Sequence, residues 1–331
     1  MSTANQHLAA PPEDAISALD FSPNRPTILA VSSWDKNVRL YDTNTPDKQP
    51  ITTFEHKAAV LDVCFGNDET QVFSAGLDQL VKCLDAETGN ERVLGSHKDA
   101  VRNVCYSHST NTLISGSWDS TVHTFDPRAS TAETGSYPQT AKVYSLSTVN
   151  EKLVVAMAGR AVDIYDLRKM SEPIQRRESS LKFQTRTVRC MPSGEGYATS
   201  SIEGRVAVEF FDASDESQAR KYAFKCHRQV EDGVDVVYPV NALAFHPTYG
   251  TFASGGGDGV VALWDAMAKR RLKQYARQPS GIAALAFSND GRQLAMGLSN
   301  GFEDGKEGDA GTVGIVVRTL GETEGRPKNM K

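Results

Sequence analysis

This sequence predicts an all-β fold, a seven-bladed propeller built as one domain over residues 1–331. Three observations carry the prediction. A unit of roughly 40 residues recurs along the chain, each unit opens on an alternating apolar strand and closes on an aspartate, and no segment longer than two turns has a helical period.

The closing strands are the clearest element. VRLYD ends at Asp42, VKCLD at Asp85, VHTFD at Asp126, VDIYD at Asp166 and VALWD at Asp265, while VAVEFFD, one residue longer, ends at Asp212. Successive aspartates are 43, 41, 40, 46 and 53 residues apart, which brackets the roughly 40–45 residues of a WD40 blade. The opening strands, such as VLDVCF (60–65), VRNVCY (101–106) and VNALAF (240–245), alternate with the period of a half-buried strand. Second strands such as FSAG, LISGS and FASGG carry small residues, suited to sheets that converge on a central channel.

A seventh, degenerate repeat starts at IAALAF, runs through GRQLAMG and ends in GIVVRTL, so the fold is read as a seven-bladed WD40 β-propeller. Residues 213–236 and 299–312 are polar, charged or glycine-rich and are read as loops inserted on this scaffold. A ring has to remove its open edge. The N-terminal stretch around residues 6–9 is the candidate strand that closes the last blade.

Four residues knit a WD40 blade: a His ahead of the first strand, a Ser or Thr in the second, the turn Asp and a third-strand Trp. The third repeat has His97, Ser115 and Asp119 with Phe125 in place of Trp. The sixth has Ser254, Asp258 and Trp264 with no evident His, and the fourth has Gly159 at the Asp position. An Asp side chain that bonds backbone amides two residues on is reason enough for such a turn, so these groups are read as structural rather than catalytic.

Composition narrows function further. A charged fraction of 23% and a formal net charge of −5 argue against a disordered tail and against a generally basic nucleic-acid-binding domain. The five cysteines, Cys64, Cys83, Cys105, Cys190 and Cys226, form no CxxC pair and read as reduced core residues. No charged, apolar leader opens the chain, and no apolar run reaches the roughly 20 residues that cross a bilayer. The expectation is a soluble, intracellular protein, monomeric apart from its partners.

No enzymatic signature stands out. HExxH, GxSxG, GxxxxGK[ST] and paired Cys/His spacings are absent, and the GGGDG run (255–259) leads into a strand, not a helix that could cradle phosphate. The adjacent Cys226 and His227 lack a second pair at metal-ligand spacing. The sequence therefore reads as a binding platform with no catalytic residue, metal or cofactor.

Two features point to recognition. Trp34 and Trp118 immediately precede the turn Asp in VSSWDKNV and SGSWDSTV, where other repeats carry Leu77, Ala158, Ile202 and Gly257. A turn-tip Trp is costly to leave in water and is favoured as an interface anchor; packing over its own blade is the alternative. Charge is the second. Residues 1–159 hold 12 basic and 19 acidic side chains, net −7, whereas residues 160–228 hold 13 and 10, net +3. The fourth and fifth repeats thus form a local positive region suited to an acidic or phosphorylated partner.

Specific words complete the reading: PPEDAIS (11–17), SSWDKNVRLYD, QRRESSLKFQTR (175–186), SSIEGRVAVEFFD (200–212), KYAFKCHR (221–228), YPVNALAFHP (238–247) and LAFSNDG. In this order, and over essentially the whole chain, they resemble the Bub-type mitotic-checkpoint propellers, the WD40 partners of the Bub kinase. A related propeller that binds nucleoporins and serves messenger-RNA export shares the EGRVA and FKCHR words. The resemblance implies a spindle-checkpoint adaptor, nuclear and at kinetochores in mitosis, that binds other proteins and neither nucleic acid nor membrane directly. It implies that the turns bearing Trp34 and Trp118 hold the GLEBS segment of the Bub kinase or its Mad-type relative. It also implies that Arg205 and Lys225 read phosphothreonine in Met-Glu-Leu-Thr motifs of the kinetochore scaffold. For Arg205, a local ion pair with Glu203 is the alternative.

Overall fold

In the computed structural model, which describes residues 5–300 and 312–327, the repeats become blades. In blade 1 the strands Ile16–Phe21, Ile28–Ser33, Asn37–Asp42 and Pro50–Glu55 pair in sequence order, each with the next. Blades 2 to 6 repeat this meander over residues 60–96, 101–138, 143–178, 185–225 and 240–274.

The seventh sheet is assembled from both ends of the chain. Its strands are Ile282–Phe287, Gln293–Leu298, Gly314–Thr319 and, outermost, Asn5–His7. Asn5 lies opposite Arg318, Gln6 opposite Val317 and His7 opposite Val316, and the Leu8 amide continues the ladder to the Ile315 carbonyl at 3.0 Å. Pairing across the termini leaves no open edge between the last and first blades.

Alternation in sequence becomes a radial gradient of burial. The second strand of blade 1 is buried along its whole length, whereas the fourth strand, Pro50–Glu55, alternates partly buried and exposed residues, with only Phe54 fully buried. Among the described residues the buried apolar side chains fall into seven clusters, each shared by neighbouring blades. One joins Leu19, Leu29 and Tyr41 of blade 1 to Ala295 and Val317 of blade 7, so the ring is sealed by core packing as well as by the ladder. Burial at about 25 cal/mol per Å² makes these inter-blade faces the main source of stability.

Within blades, the polar quartet is assembled as the sequence implies for the third repeat and differently for the sixth. His97 donates from Nδ1 to Asp119 (3.2 Å) and accepts at Nε2 from Ser115 (2.7 Å); His56 does the same with Asp78 (2.9 Å) and Ser74 (2.7 Å). Burial, reinforced by the stacked His123, pushes His97 down to about 4 and keeps it neutral. The sixth blade does have its histidine: His227 reaches Asp258 (2.9 Å) and Ser254 (2.8 Å), and Trp264 Nε1 donates to the same Ser254 hydroxyl (2.8 Å). Replacing His227 with Ala strands two buried partners, so His227→Ala should cost about 3 kcal/mol, read as a lowered urea midpoint. An unchanged midpoint would show that the quartet contributes no net stability.

The expected insertion at 213–236 is not one loop. It contains a short helix, Asp215–Ala219, then Tyr222–Lys225, which is the fourth strand of blade 5, and then a hairpin of Arg228–Glu231 and Val234–Val237. Ser214 caps the helix by accepting from the Ser217 amide. Of the expected insertion at 299–312, residues 301–311 lie outside the described residues.

Candidate functional site

Each blade presents the turn between its second and third strands on the same face. The amide just ahead of the turn Asp position donates to a carbonyl ahead of the inner strand: Trp34 to Ala15, Leu77 to Ala59, Trp118 to Ala100, Ala158 to Lys142, Ile202 to Gln184, Gly257 to Pro239 and Ser299 to Gly281. Seven residues, six of them with side chains, therefore stand at equivalent positions around one rim.

Side-chain bonds pin the first of these turns. Asp35 accepts from the amides of Asn37 (3.1 Å) and Glu13 (3.0 Å) and pairs with Arg39 at 2.7 Å. Trp34, held at the tip of that turn, is 43% exposed, and Leu77 and Ile202 are 37% and 40% exposed. Trp118 is half-buried; its Nε1 has no hydrogen-bond partner among the described residues, and the Lys142 ammonium lies 5.9 Å from the ring centroid. Leu77 and Ile202 were not singled out from sequence, although they occupy the same slot as the tryptophans. Phe183, 49% exposed in the segment leading into blade 5, also went unnoticed because no repeat position marks it.

The basic residues of blade 5 come together. Arg205 opens the third strand, Arg205–Phe210, and Lys225 ends the fourth, and the two are direct cross-strand partners. Residues opposite one another in an antiparallel pair have Cβ atoms about 5 Å apart. The turn that delivers Arg205 depends on Gly204, whose φ of +60° is left-handed and whose added Cβ would lie 2.7 Å from the Cys226 carbonyl. The Cys226 amide bonds the Gly204 carbonyl at 3.0 Å, fixing Lys225 beside the turn.

One acid serves this cluster. Glu203 Oε2 lies 3.1 Å from Arg205 Nε, and Arg228 Nη2 donates to the Glu203 carbonyl (2.8 Å) and to Oε1 (3.3 Å). The ion pair expected as the alternative role of Arg205 is therefore present. It leaves capacity unused: among the described residues the Arg228 Nε–H is buried without a hydrogen-bond acceptor, and Lys225 is exposed with no carboxylate at ion-pair distance. Three cations face one carboxylate. Like charges opposed across strands are destabilising, and an incoming dianion would relieve that repulsion.

Trp34, Trp118 and the Arg205–Lys225 pair thus share a face but sit on blades 1, 3 and 5. Among the described residues no group of three or more His, Cys, Asp and Glu side chains is placed to hold a metal ion.

Comparison with known proteins agrees with the fold. The WD domain, G-beta repeat family matches residues 3–42, 48–85, 90–126 and 223–265. The chain is 53% identical to the mitotic checkpoint protein BUB3.1 of Arabidopsis thaliana, over 98% of this chain and 96% of that one. It is 43% identical to the mitotic checkpoint protein bub3 of Dictyostelium discoideum, over 91% and 90%. It is 37% identical to the mRNA export factor GLE2 of Chaetomium thermophilum, over 91% and 86%. Blades, rim turns and full-length similarity together show that the chain belongs to the Bub3 family of WD40 mitotic-checkpoint propellers.

Proposed function

We propose that this protein is a non-enzymatic adaptor of the spindle assembly checkpoint, which carries a checkpoint kinase on its rim and docks it on a phosphorylated kinetochore scaffold. The relatives named as mitotic checkpoint proteins support the checkpoint role. The apolar tips Trp34, Leu77 and Ile202, with the half-buried Trp118, support a rim that takes the GLEBS segment of the Bub kinase or its Mad-type relative. The observation that carries phosphate reading is the cross-strand Arg205–Lys225 pair, with three cations around one acid. Phosphothreonine brings roughly −1.5 to −2 charges and three acceptor oxygens to meet them.

The deciding experiment is titration of a Met-Glu-Leu-Thr peptide in phosphorylated and unphosphorylated forms. Phosphorylation should tighten binding at least tenfold; equal affinities would remove Arg205 and Lys225 from this role. Trp34→Ala with Trp118→Ala should weaken a GLEBS peptide by roughly thirtyfold, about 2 kcal/mol for a lost aromatic anchor, and leave the phosphopeptide unaffected. Identity to an mRNA export factor favours one second reading, export at nuclear pores. Imaging separates them: kinetochore foci after microtubule poisoning support the checkpoint role, and a steady interphase nuclear rim supports export.

A further inference from the structure

On the face opposite the rim, blades 5 and 6 leave a hollow between them. Each rim turn joins a second strand to a third, so the loops from first to second strand and the turns from third to fourth stand at the other end of every blade. A groove of about 450 Å³ opens there. Met191 and Ala266, both buried, form its floor. Tyr249, Met267 and Pro327 also line it, so the first loops of blades 5 and 6, the last turn of blade 6 and the segment after the last strand all contribute. Glu195, exposed in the first loop of blade 5, is a further lining residue.

The groove is preformed. His246 Nδ1 accepts from the amides of Thr248 (3.2 Å) and Tyr249 (3.3 Å) and its Nε2 donates to the Gly291 carbonyl (3.1 Å), which holds the ring in one tautomer, and burial lowers its pKa and keeps it neutral. The Tyr249 ring stacks on that imidazole at 4.5 Å. In the last turn of blade 6, Asp265 Oδ1 accepts from the amides of Met267 (3.1 Å) and Ala268 (2.9 Å), and the Tyr222 hydroxyl donates to the Ala266 carbonyl (2.7 Å). The Thr251 hydroxyl donates to the Gly325 carbonyl (2.6 Å), which brings Pro327 to the groove. A ligand therefore has little left to order, and that cost is what preorganisation removes. Against this fixed frame Met267 is 58% exposed. Ile51 and Val93 are exposed too, but they stand singly on fourth strands and need no partner. Met267 adjoins a hollow of a size within the roughly 300–1,000 Å³ of ligand sites, and a methionine adapts to apolar groups of varied shape.

We propose that this groove docks a short linear segment of a partner protein in which apolar side chains are followed by lysine or arginine, the apolar groups lying against Met267 and Tyr249 and the cation on Glu195. Charge sets the choice. Glu195 is exposed and has no cation at ion-pair distance among the described residues. The cations of this face are engaged elsewhere: Lys152 and Lys269 lie over the rings of Phe211 and Tyr222 at 5.5 and 4.9 Å, and Arg326 has a partner of its own. The site depends neither on the rim nor on the Arg205–Lys225 pair, and its place on the opposite face lets a further protein bind while both of those are occupied.

The test uses the full chain with carbon-13 in the methionine methyl groups, so that Met191 and Met267 report from the groove itself. The probes are three capped peptides, Gly-Leu-Leu-Lys-Arg-Gly, Gly-Leu-Leu-Glu-Asp-Gly and Gly-Ser-Ser-Lys-Arg-Gly, each titrated up to about 1 mM. The first should shift both methyl signals and saturate, and the other two should bind roughly tenfold more weakly or less. Met267→Glu, read at Met191, should weaken the first peptide about tenfold. Glu195→Lys, at an exposed position that the fold tolerates, should transfer the preference to the acidic peptide. Arg205→Glu should leave all three titrations unchanged, so failure at the basic pair and failure here are told apart. No saturable shift in wild type, equal binding of the three peptides, or an unchanged preference in Glu195→Lys overturns the proposal. Two other occupants have their own signatures. A Met267 signal that moves with protein concentration identifies a second copy of the chain, one that moves when residues 328–331 are removed identifies that segment, and either result overturns the proposal.

Discussion

Arg205→Glu is expected to weaken binding of a phosphothreonine peptide by roughly a hundredfold or more while leaving GLEBS affinity within about twofold. The magnitude follows from the contacts. A hydrogen bond to a charged group is worth about 1.5–3 kcal/mol, and about 1.4 kcal/mol is a factor of ten. Reversal of charge also sets a carboxylate beside Glu203 and against the phosphate, so the loss exceeds that of a neutral replacement. The fold should tolerate the change, since Arg205 is only partly buried and a Glu opposite Lys225 forms a favourable cross-strand pair. Fluorescence anisotropy with phosphorylated and unphosphorylated peptides measures the effect. Lys225→Glu should give a smaller loss, because Lys225 is exposed and contributes a screened point charge. If Arg205→Glu lowers both affinities equally, the rim and the basic pair are one site rather than two.

Glu324→Gln is expected to destabilise the ring by about 3 kcal/mol at neutral pH. Glu324 lies in the segment that follows the last strand, and its side chain is 7% exposed. It accepts from Arg318 Nε (3.0 Å) of blade 7, from Lys273 Nζ (2.9 Å) of blade 6 and from the Gly321 amide (3.3 Å). Arg318 also lies 4.7 Å over the ring of Tyr275. One carboxylate thus ties the C-terminal segment to two blades. Burial works against its charge, but the hydrogen bonds from Arg318, Lys273 and the Gly321 amide prevail and hold it at about 2 instead of the usual 4.5. A folded pKa below the unfolded one contributes stability above about pH 4.5, and that contribution is lost as pH falls through about 2. The shift corresponds to about 3 kcal/mol at 1.36 kcal/mol per unit. Urea unfolding should show a wide gap between wild type and variant at pH 7 that narrows progressively below pH 4.5. A gap independent of pH would mean that packing, not the charge, is what Glu324 supplies.

Much of this architecture is local and therefore legible in the sequence. Alternation, small second-strand residues and a closing aspartate recur because every blade solves the same packing problem, and each signal lies within a few residues of its cause. The rim tryptophans were legible for the same reason, since a turn Asp marks the slot before it. His227 was not. His56 and His97 precede the inner strands at Val60 and Val101 by four residues, whereas the hairpin between His227 and Val240 breaks that spacing. Its role came to light only from the bonds to Asp258 and Ser254.

By itself the sequence determined the all-β class, the number of blades, the rim positions of Trp34 and Trp118, and the positive region around blades 4 and 5. Tertiary structure decided which cations meet. Arg205 and Lys225 are 20 residues apart, and a helix and a turn intervene before strand register sets them opposite each other. Likewise bulges at Arg102 and Arg186, on blades 3 and 5, bring both side chains to one cavity. Register and ring closure are properties of pairing between distant segments, and a one-residue slip moves a side chain to the other face of a sheet. Composition and period carry no information about that choice, and the sites of this protein depend on it.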